Sequence, residues 1–123
     1  MKIFLLIGSG GFIGSYLRYL VAVHIERSAF LSFPMGTFAV NILGCFLIGL
    51  LYSLSIRYNM ATEYQKLLMT GFCGGFTTFS TFSYEGLTLL QEAQYLSGFL
   101  YAGLSLIIGF FAAWLGLMLV RIL

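Results

Sequence analysis

Four apolar runs, each long enough to cross a lipid bilayer, occupy most of this chain of 123 residues. A bilayer core needs about 20 apolar residues per helix. The runs predict transmembrane helices over approximately residues 3–23, 34–56, 66–90 and 96–120, joined by short polar turns. We therefore expect a single four-helix domain, residues 1–123, of the all-α integral membrane class.

The composition excludes most other classes of protein. The chain is 60% hydrophobic and only 8% charged, with a mean hydropathy of +0.99, whereas soluble domains carry about 25% charged residues. A formal net charge of +2 without a basic patch argues against a nucleic-acid partner. No motif resembles a catalytic triad, a metal cluster or a phosphate loop, so neither an enzyme nor an organic cofactor is expected. Cys45 and Cys73 are expected to be buried free thiols.

A cluster of glycines, GSGGFIG at Gly8–Gly14, lies within the first predicted helix. It does not match a dinucleotide-binding fingerprint, because Ile13 stands where that spacing needs glycine and no strand precedes it. Gly10 and Gly14 are four residues apart and form a small-residue face. Such a face predicts close packing against another helix.

Polar side chains within the spans are predicted to gather in one half of the bilayer. Helices that run alternately up and down bring together Arg18, Thr37, Asn41, Ser80, Thr81, Glu85, Tyr101 and Ser105. Polar groups at membrane depth are costly and commonly mark pathways or partners. Arg18 and Glu85 lie at similar depth, so we expect them to pair, or to share a polar cluster, outside any permeation path.

The segment GFCGGFTTFSTFSYE, Gly71–Glu85, interrupts the third helix. We expect the break near Gly74–Gly75, because each glycine disfavours a helix by about 1 kcal/mol relative to alanine. Non-helical backbone at this depth must be satisfied by protein or line a cavity, and the carbonyls of a broken helix commonly hold a cation.

Beyond the break, helical spacing places Phe79 and Phe82 on one face. Phenyl rings have positive edges that attract an anion, and the Asn41 amide and nearby hydroxyls can donate hydrogen bonds to it. The alternative that the spacing leaves open is ordinary packing of the two rings, with serine and threonine hydroxyls bonded to their own helix.

The charges at the helix ends are divided unequally. Lys2, Arg57, Lys66 and Arg121 fall on the side that holds both termini, whereas Arg27 falls on the other. The positive-inside rule then predicts cytoplasmic termini by a narrow margin, which also leaves room for both orientations in one membrane.

The third-helix segment closely resembles the signature of the Fluc (CrcB) family of bacterial fluoride channels. Supporting matches are GSGGFIGSYLRY at Gly8–Tyr19, which contains Arg18, and GTFAVNILGCFLIG at Gly36–Gly49, which contains Asn41. The resemblance covers the first three predicted helices, and the chain has the length of a whole family member.

This resemblance implies an antiparallel, dual-topology homodimer with two pores, a multi-pass protein of the bacterial inner membrane. It would export fluoride passively and selectively and so relieve fluoride toxicity. Phe79 and Phe82 would be the paired pore phenylalanines and Asn41 the pore asparagine. Backbone carbonyls of Gly74 and Thr77 from both subunits would hold a central structural Na⁺.

In the family, a polar track runs along the fourth helix, and here it would begin with Tyr101 and Ser105. One turn further, where the family has a hydroxyl, this chain has Gly109, and Ala113 lies beyond. We therefore expect Thr78, Thr81 or water to supply part of the track. Together with the polar cluster, the expected fluoride path comprises Thr37, Asn41, Phe79, Ser80, Thr81, Phe82, Tyr101 and Ser105, with electrostatic support from Arg18 and Glu85.

Two other classes of function remain as alternatives. A small four-helix drug–proton antiporter would need a titratable carboxylate in the membrane, and the first helix carries none. A membrane scaffold without transport activity would not need the broken helix, Asn41 and the phenyl pair at one depth.

Overall fold

The computed structural model describes residues 1–28 and 33–123, apart from the side chain of Ser28. Within these residues, three helices are long and apolar enough to cross a membrane: α1 (Lys2–Ser28), α2 (Met35–Arg57) and α6 (Tyr95–Ile122). The described residues contain no β-strand. The fold is thus all-helical with several apolar spans. Residues 29–32 of the first predicted turn lie outside the described part of the chain.

The third predicted span consists of several shorter pieces. A single turn, α3 (Thr62–Gln65), leads into a π-helical segment (Lys66–Cys73), which continues into α4 (Gly74–Phe76). Thr77 and Thr78 are extended, with ψ of 159° and 117°, and α5 (Phe79–Gln91) begins after them. None of these pieces is by itself long enough to count as a membrane span.

The interruption lies two residues beyond its predicted position near Gly74–Gly75. Both glycines are part of α4, and Gly74 has the helical dihedrals φ −62° and ψ −38°. Gly75 has a different purpose, because a Cβ atom there would overlap the backbone of Gly11, whereas one at Gly74 would have nothing within 4 Å. The small size of Gly75 permits a close helix contact, and the chain leaves the helix at the two threonines.

Helix α1 packs directly on the backbone of the third span. A Cβ atom at Gly10 would overlap the carbonyl oxygen of Leu67, and one at Gly14 would overlap that of Phe72. The predicted close packing at Gly10 and Gly14 is therefore confirmed. We call this contact, formed by Gly10, Gly14, Gly71 and Gly75, the glycine seam.

Helices α2 and α6 form the most extensive helix pair. Their contact is equally close, because a Cβ atom at Gly49 would overlap the Ala113 carbonyl and one at Gly116 would overlap the Phe46 carbonyl. Helix α5 packs on α6. The third span therefore contacts α1, α2 and α6, and its extended residue Thr78 is bound by Asn41 of α2.

Large apolar side chains cover the outside of the chain. Phe4 and Phe110 are each 78% exposed, whereas only a few side chains, such as Val40 and Tyr101, are fully buried. Exposed apolar surface on this scale marks contact with lipid or with another protein. The chain is accordingly a membrane protein.

Substitution at the glycine seam should destabilise the protein. We expect Gly14→Ala to lower the free energy of unfolding by about 1–3 kcal/mol, because the added methyl group would overlap backbone atoms that cannot rotate away. Thermal stability in detergent, read by size-exclusion chromatography after heating, would measure the change.

The matched control is Gly8→Ala on the same helix, where nothing lies within 4 Å of the added Cβ atom. This variant should be neutral, or more stable by up to about 1 kcal/mol because alanine favours a helix. Equal losses in the two variants would contradict the packing role of the seam.

Candidate functional site

The extended residues of the third span are held by the side chain of Asn41. The Asn41 Nδ2 group donates to the Thr78 carbonyl oxygen at 3.1 Å, and the Thr78 N–H group donates to Asn41 Oδ1 at 2.8 Å. The side-chain amide thus pairs with Thr78 as a second peptide would, and this pairing fixes the orientation of the amide. One Nδ2 hydrogen remains available to another acceptor.

The hydroxyl residues that follow Thr78 gather at the start of α5. Thr78 Oγ1 accepts from the Thr81 N–H group at 3.3 Å and donates to Thr81 Oγ1 at 3.1 Å, while Ser80 Oγ lies 3.4 Å from Thr78 Oγ1. Thr78 is therefore the N-cap of α5. By contrast, Ser83 donates back to the Phe79 carbonyl of its own helix.

Arg18 stabilises the end of α4. Its Nε group donates to the Gly75 carbonyl oxygen at 3.1 Å, and Ser15 Oγ donates to the same oxygen at 3.3 Å. The last carbonyls of a helix have no intrahelical donor and carry partial negative charge. A cation from α1 therefore compensates the interruption, a role that sequence reasoning did not assign to Arg18.

Two further carbonyls at the break lose the donors that a continuous helix would provide. The Thr78 N–H group, which would bond the Gly74 carbonyl, donates to Asn41 instead. The Thr81 N–H group, which would bond the Thr77 carbonyl, donates to Thr78 Oγ1. The carbonyl oxygens of Gly74 and Thr77 are thus suited in their chemistry to a hard cation such as Na⁺. Among the residues described, no group of three His, Cys, Asp or Glu side chains could hold a metal.

Glu85 is bound by two hydroxyl groups and does not pair with Arg18. Its Oε1 accepts from Thr37 Oγ1 and its Oε2 from the Tyr101 hydroxyl, each at 2.8 Å. Thr37 is 4% exposed and Tyr101 is fully buried. Within residues 1–28 and 33–123, the only ion pair joins Lys2 to Glu63. The predicted Arg18–Glu85 pair is wrong, because Arg18 binds the end of α4 while Glu85 binds side chains of α2 and α6.

A row of aromatic rings lies beside this carboxylate. The centroids of Phe79 and Phe82 are 5.6 Å apart, and those of Phe82 and Tyr101 are 5.1 Å apart. Phe33 meets Tyr101 edge to face at 5.2 Å. Phe33 was not predicted, since its position before α2 carries no sequence signal. These rings extend from the buried Tyr101 to Phe79, which is 77% exposed.

A cavity of about 410 Å³ lies between α2, the third span and α6. Predicted site residues that line it are Asn41, Gly74, Thr77, Phe79, Phe82 and Ser105. Thr37, Ser80, Thr81, Tyr101, Arg18 and Glu85 are not among its lining residues. The predicted set therefore divides into residues that line the cavity and residues that do not.

Ser105 carries the one buried side-chain polar atom in the described residues that has no hydrogen-bond partner. Buried polar atoms are almost always satisfied, and Ser105 is one of the residues that line the cavity, so its unpartnered hydroxyl is a candidate donor to a ligand or water. One turn further along α6, a Cβ atom at Gly109 would lie 3.4 Å from Cys45 Sγ. A free thiol therefore faces the position where the expected hydroxyl is missing.

The paired amide of Asn41 should be sensitive to a change of a single atom. In Asn41→Asp an oxygen replaces Nδ2 and faces the Thr78 carbonyl oxygen, so a hydrogen bond becomes a repulsion. We expect the free energy of unfolding to fall by about 1–3 kcal/mol, measured by thermal unfolding in detergent.

Asn59→Asp makes the same chemical change in an exposed turn and should leave stability unchanged. If both variants unfolded at the temperature of the unchanged protein, the Asn41–Thr78 pairing would have no structural importance.

Comparison with known proteins places this site in context. The family described as "CrcB-like protein, Camphor Resistance (CrcB)" matches residues 5–117. A protein of Phocaeicola vulgatus is 50% identical over 117 residues, which cover 95% of this chain and 97% of the relative. A protein of Flavobacterium psychrophilum is 45% identical over 122 residues, covering 98% of each chain.

Both relatives are named "Fluoride-specific ion channel FluC". A channel is not an enzyme, in agreement with the prediction from the sequence, and neither name describes an antiporter or a scaffold. The match extends over nearly the whole length of each relative. This chain belongs to the CrcB family.

Proposed function

We propose that this protein is a fluoride-selective channel that exports fluoride passively across the bacterial inner membrane and so relieves fluoride toxicity. The observation that carries the proposal is the unpartnered Ser105 hydroxyl, because Ser105 lines a cavity together with Asn41, Phe79 and Phe82. The names of the relatives support the same function.

The cavity offers an anion few donors in apolar surroundings. Ser105 has its hydroxyl hydrogen free, and Asn41 has one amide hydrogen free because the other is bound to Thr78. Ring edges of Phe79 and Phe82 add weak positive potential. A small anion can approach such donors closely, whereas a larger halide would need more space for the same contacts. We propose that the closer contact of fluoride with these donors favours it over chloride.

The supporting hydroxyls have their donors occupied. Thr37 and Tyr101 both donate to Glu85, and Thr78 donates to Thr81. In this arrangement Asn41 and Ser105 are the direct donors to fluoride. Thr37 and Tyr101 bind the Glu85 carboxylate, which does not line the cavity, and their hydroxyl hydrogens offset part of its negative charge.

We propose that the working form is an antiparallel, dual-topology homodimer with two pores. Phe79 and the region around Gly74 are exposed in the single chain although they line the cavity. A second copy would cover them and complete the cavity wall. The narrow margin of positive charge between the two sides supports insertion in both orientations.

A structural Na⁺ at the dimer centre would be held by the Gly74 and Thr77 carbonyls of both copies. When bound, it would neutralise the partial negative charge of carbonyls that the break leaves without helical donors. Asn41 and Thr78 keep those carbonyls free by diverting the two N–H groups.

Anion efflux from liposomes tests the channel directly. With purified protein, a fluoride electrode and a chloride electrode, we expect rapid loss of fluoride without loss of chloride. Phe82→Ile should abolish fluoride efflux because it removes the ring between Phe79 and Tyr101. Equal chloride efflux, or no fluoride efflux from a folded dimer, would refute the proposal.

Ser105→Ala tests the unpartnered hydroxyl. We expect fluoride efflux to slow about tenfold, the effect of one lost hydrogen bond to an ion. Ser97→Ala is the matched control, because Ser97 lies earlier on the same helix and does not line the cavity. Equal rates in the two variants would remove Ser105 from the fluoride path.

Removal of sodium tests the central ion. In K⁺ or N-methylglucamine buffers we expect weaker dimers by size-exclusion chromatography and lower efflux, both restored by Na⁺. An unchanged dimer with full efflux in sodium-free buffer would argue against the Na⁺ site and leave the channel itself intact.

A further inference from the structure

A second cavity, of about 260 Å³, lies at the opposite end of the α2–α6 pair. Arg57 and Arg121, in the last turns of the two helices, both line it. Ser53 and Leu117 also line it, each four residues before one of the arginines. Since four residues advance a helix by about 6 Å, this cleft extends from the helix ends toward the middle of the spans.

The two arginines lack carboxylate partners. The only ion pair in the described part of the chain joins Lys2 to Glu63. Arg57 donates to the Val120 carbonyl and lies beside the Tyr58 ring, 5.8 Å from its centroid. No hydrogen bond in the described structure involves the Arg121 side chain. Each helix C-terminus favours a cation in its last turn, but Arg121, unlike Arg57, donates to no carbonyl in the described residues.

The rest of the cleft is suited to hydrocarbon. Tyr52, Ile56 and Leu117 form its wall beneath the charged rim. The arginines stand at the ends of membrane spans, where phospholipid headgroups lie. A charged rim above an apolar wall matches an amphiphile whose anionic head faces the arginines and whose chains follow the wall. Free phosphate would make no use of that wall.

We propose that this cleft binds the headgroup of an anionic phospholipid. The guanidinium groups of Arg57 and Arg121 would hold its phosphate, and the acyl chains would lie against Ile56 and Leu117. Basic pockets between membrane helices are suited to such lipids. The proposal depends on the membrane insertion of the chain and not on which ion the chain conducts.

Native mass spectrometry tests the proposal. Purified full-length protein in mild detergent is mixed with equal amounts of phosphatidylglycerol and phosphatidylcholine that carry identical acyl chains. We expect preferential retention of phosphatidylglycerol. From the usual contribution of one arginine near a membrane surface, the preference should fall about fivefold in Arg121→Gln and about thirtyfold in Arg57→Gln/Arg121→Gln.

Two controls keep the test decisive. Arg27→Gln removes a cation from the other end of the molecule and should retain the full preference. Arg57 also bonds to the Val120 carbonyl, so its replacement by glutamine removes a structural contact as well as a charge. Arg57→Lys keeps the charge. If the double variant does not fold, Arg121→Gln alone decides the outcome.

Other outcomes would overturn the proposal. Equal retention of the two lipids would mean that the arginines do not select an anionic head. Displacement of phosphatidylglycerol by millimolar inorganic phosphate would identify a free-anion site. Loss of the preference in Arg27→Gln would indicate a general effect of net charge.

Discussion

The structure depends on how two extended residues are satisfied inside the membrane. A span that leaves its helix exposes N–H and C=O groups where no water can bind them. Asn41 pairs with both groups of Thr78, and Arg18 with Ser15 binds the Gly75 carbonyl. Partners from α1 and α2 therefore fix the position of the break, and the cavity forms where α2 and α6 leave the interrupted span uncovered.

A second set of polar side chains separates the hydrogen-bond donors of the cavity from a carboxylate. Thr37 and Tyr101 direct their hydrogens to Glu85, one to each carboxylate oxygen, and Glu85 does not line the cavity. Ser105 and Asn41, by contrast, line the cavity, and the Ser105 hydroxyl has no partner. The division requires no buried ion pair, which would carry a large desolvation cost. A pathway for an anion can therefore lie close to a carboxylate.

Much of the fold could be predicted from the sequence, because apolar length determines spans and small residues mark close contacts. The pairing of Arg18 with Glu85 could not be excluded, since similar depth does not reveal which way a side chain turns around its helix. The break was misplaced because glycine signals helix disruption in water, whereas here Gly75 accommodates the backbone of Gly11. The cleft at Arg57 and Arg121 could be recognised only from the structure, because the two residues are far apart in the chain.

The glycine seam has a consequence for how this protein can evolve. Ordinary cores tolerate change because a neighbouring side chain can adopt another rotamer and absorb a difference in volume. At Gly14 and Gly75 the neighbours are peptide groups, which have no rotamers. Substitutions along the glycine seam cannot be compensated in this way. Sequence variation is therefore directed to the lipid-facing surface. Two copies of the gene could diverge widely in their lipid-facing residues, while the helices of the two proteins remained superimposable at the seam.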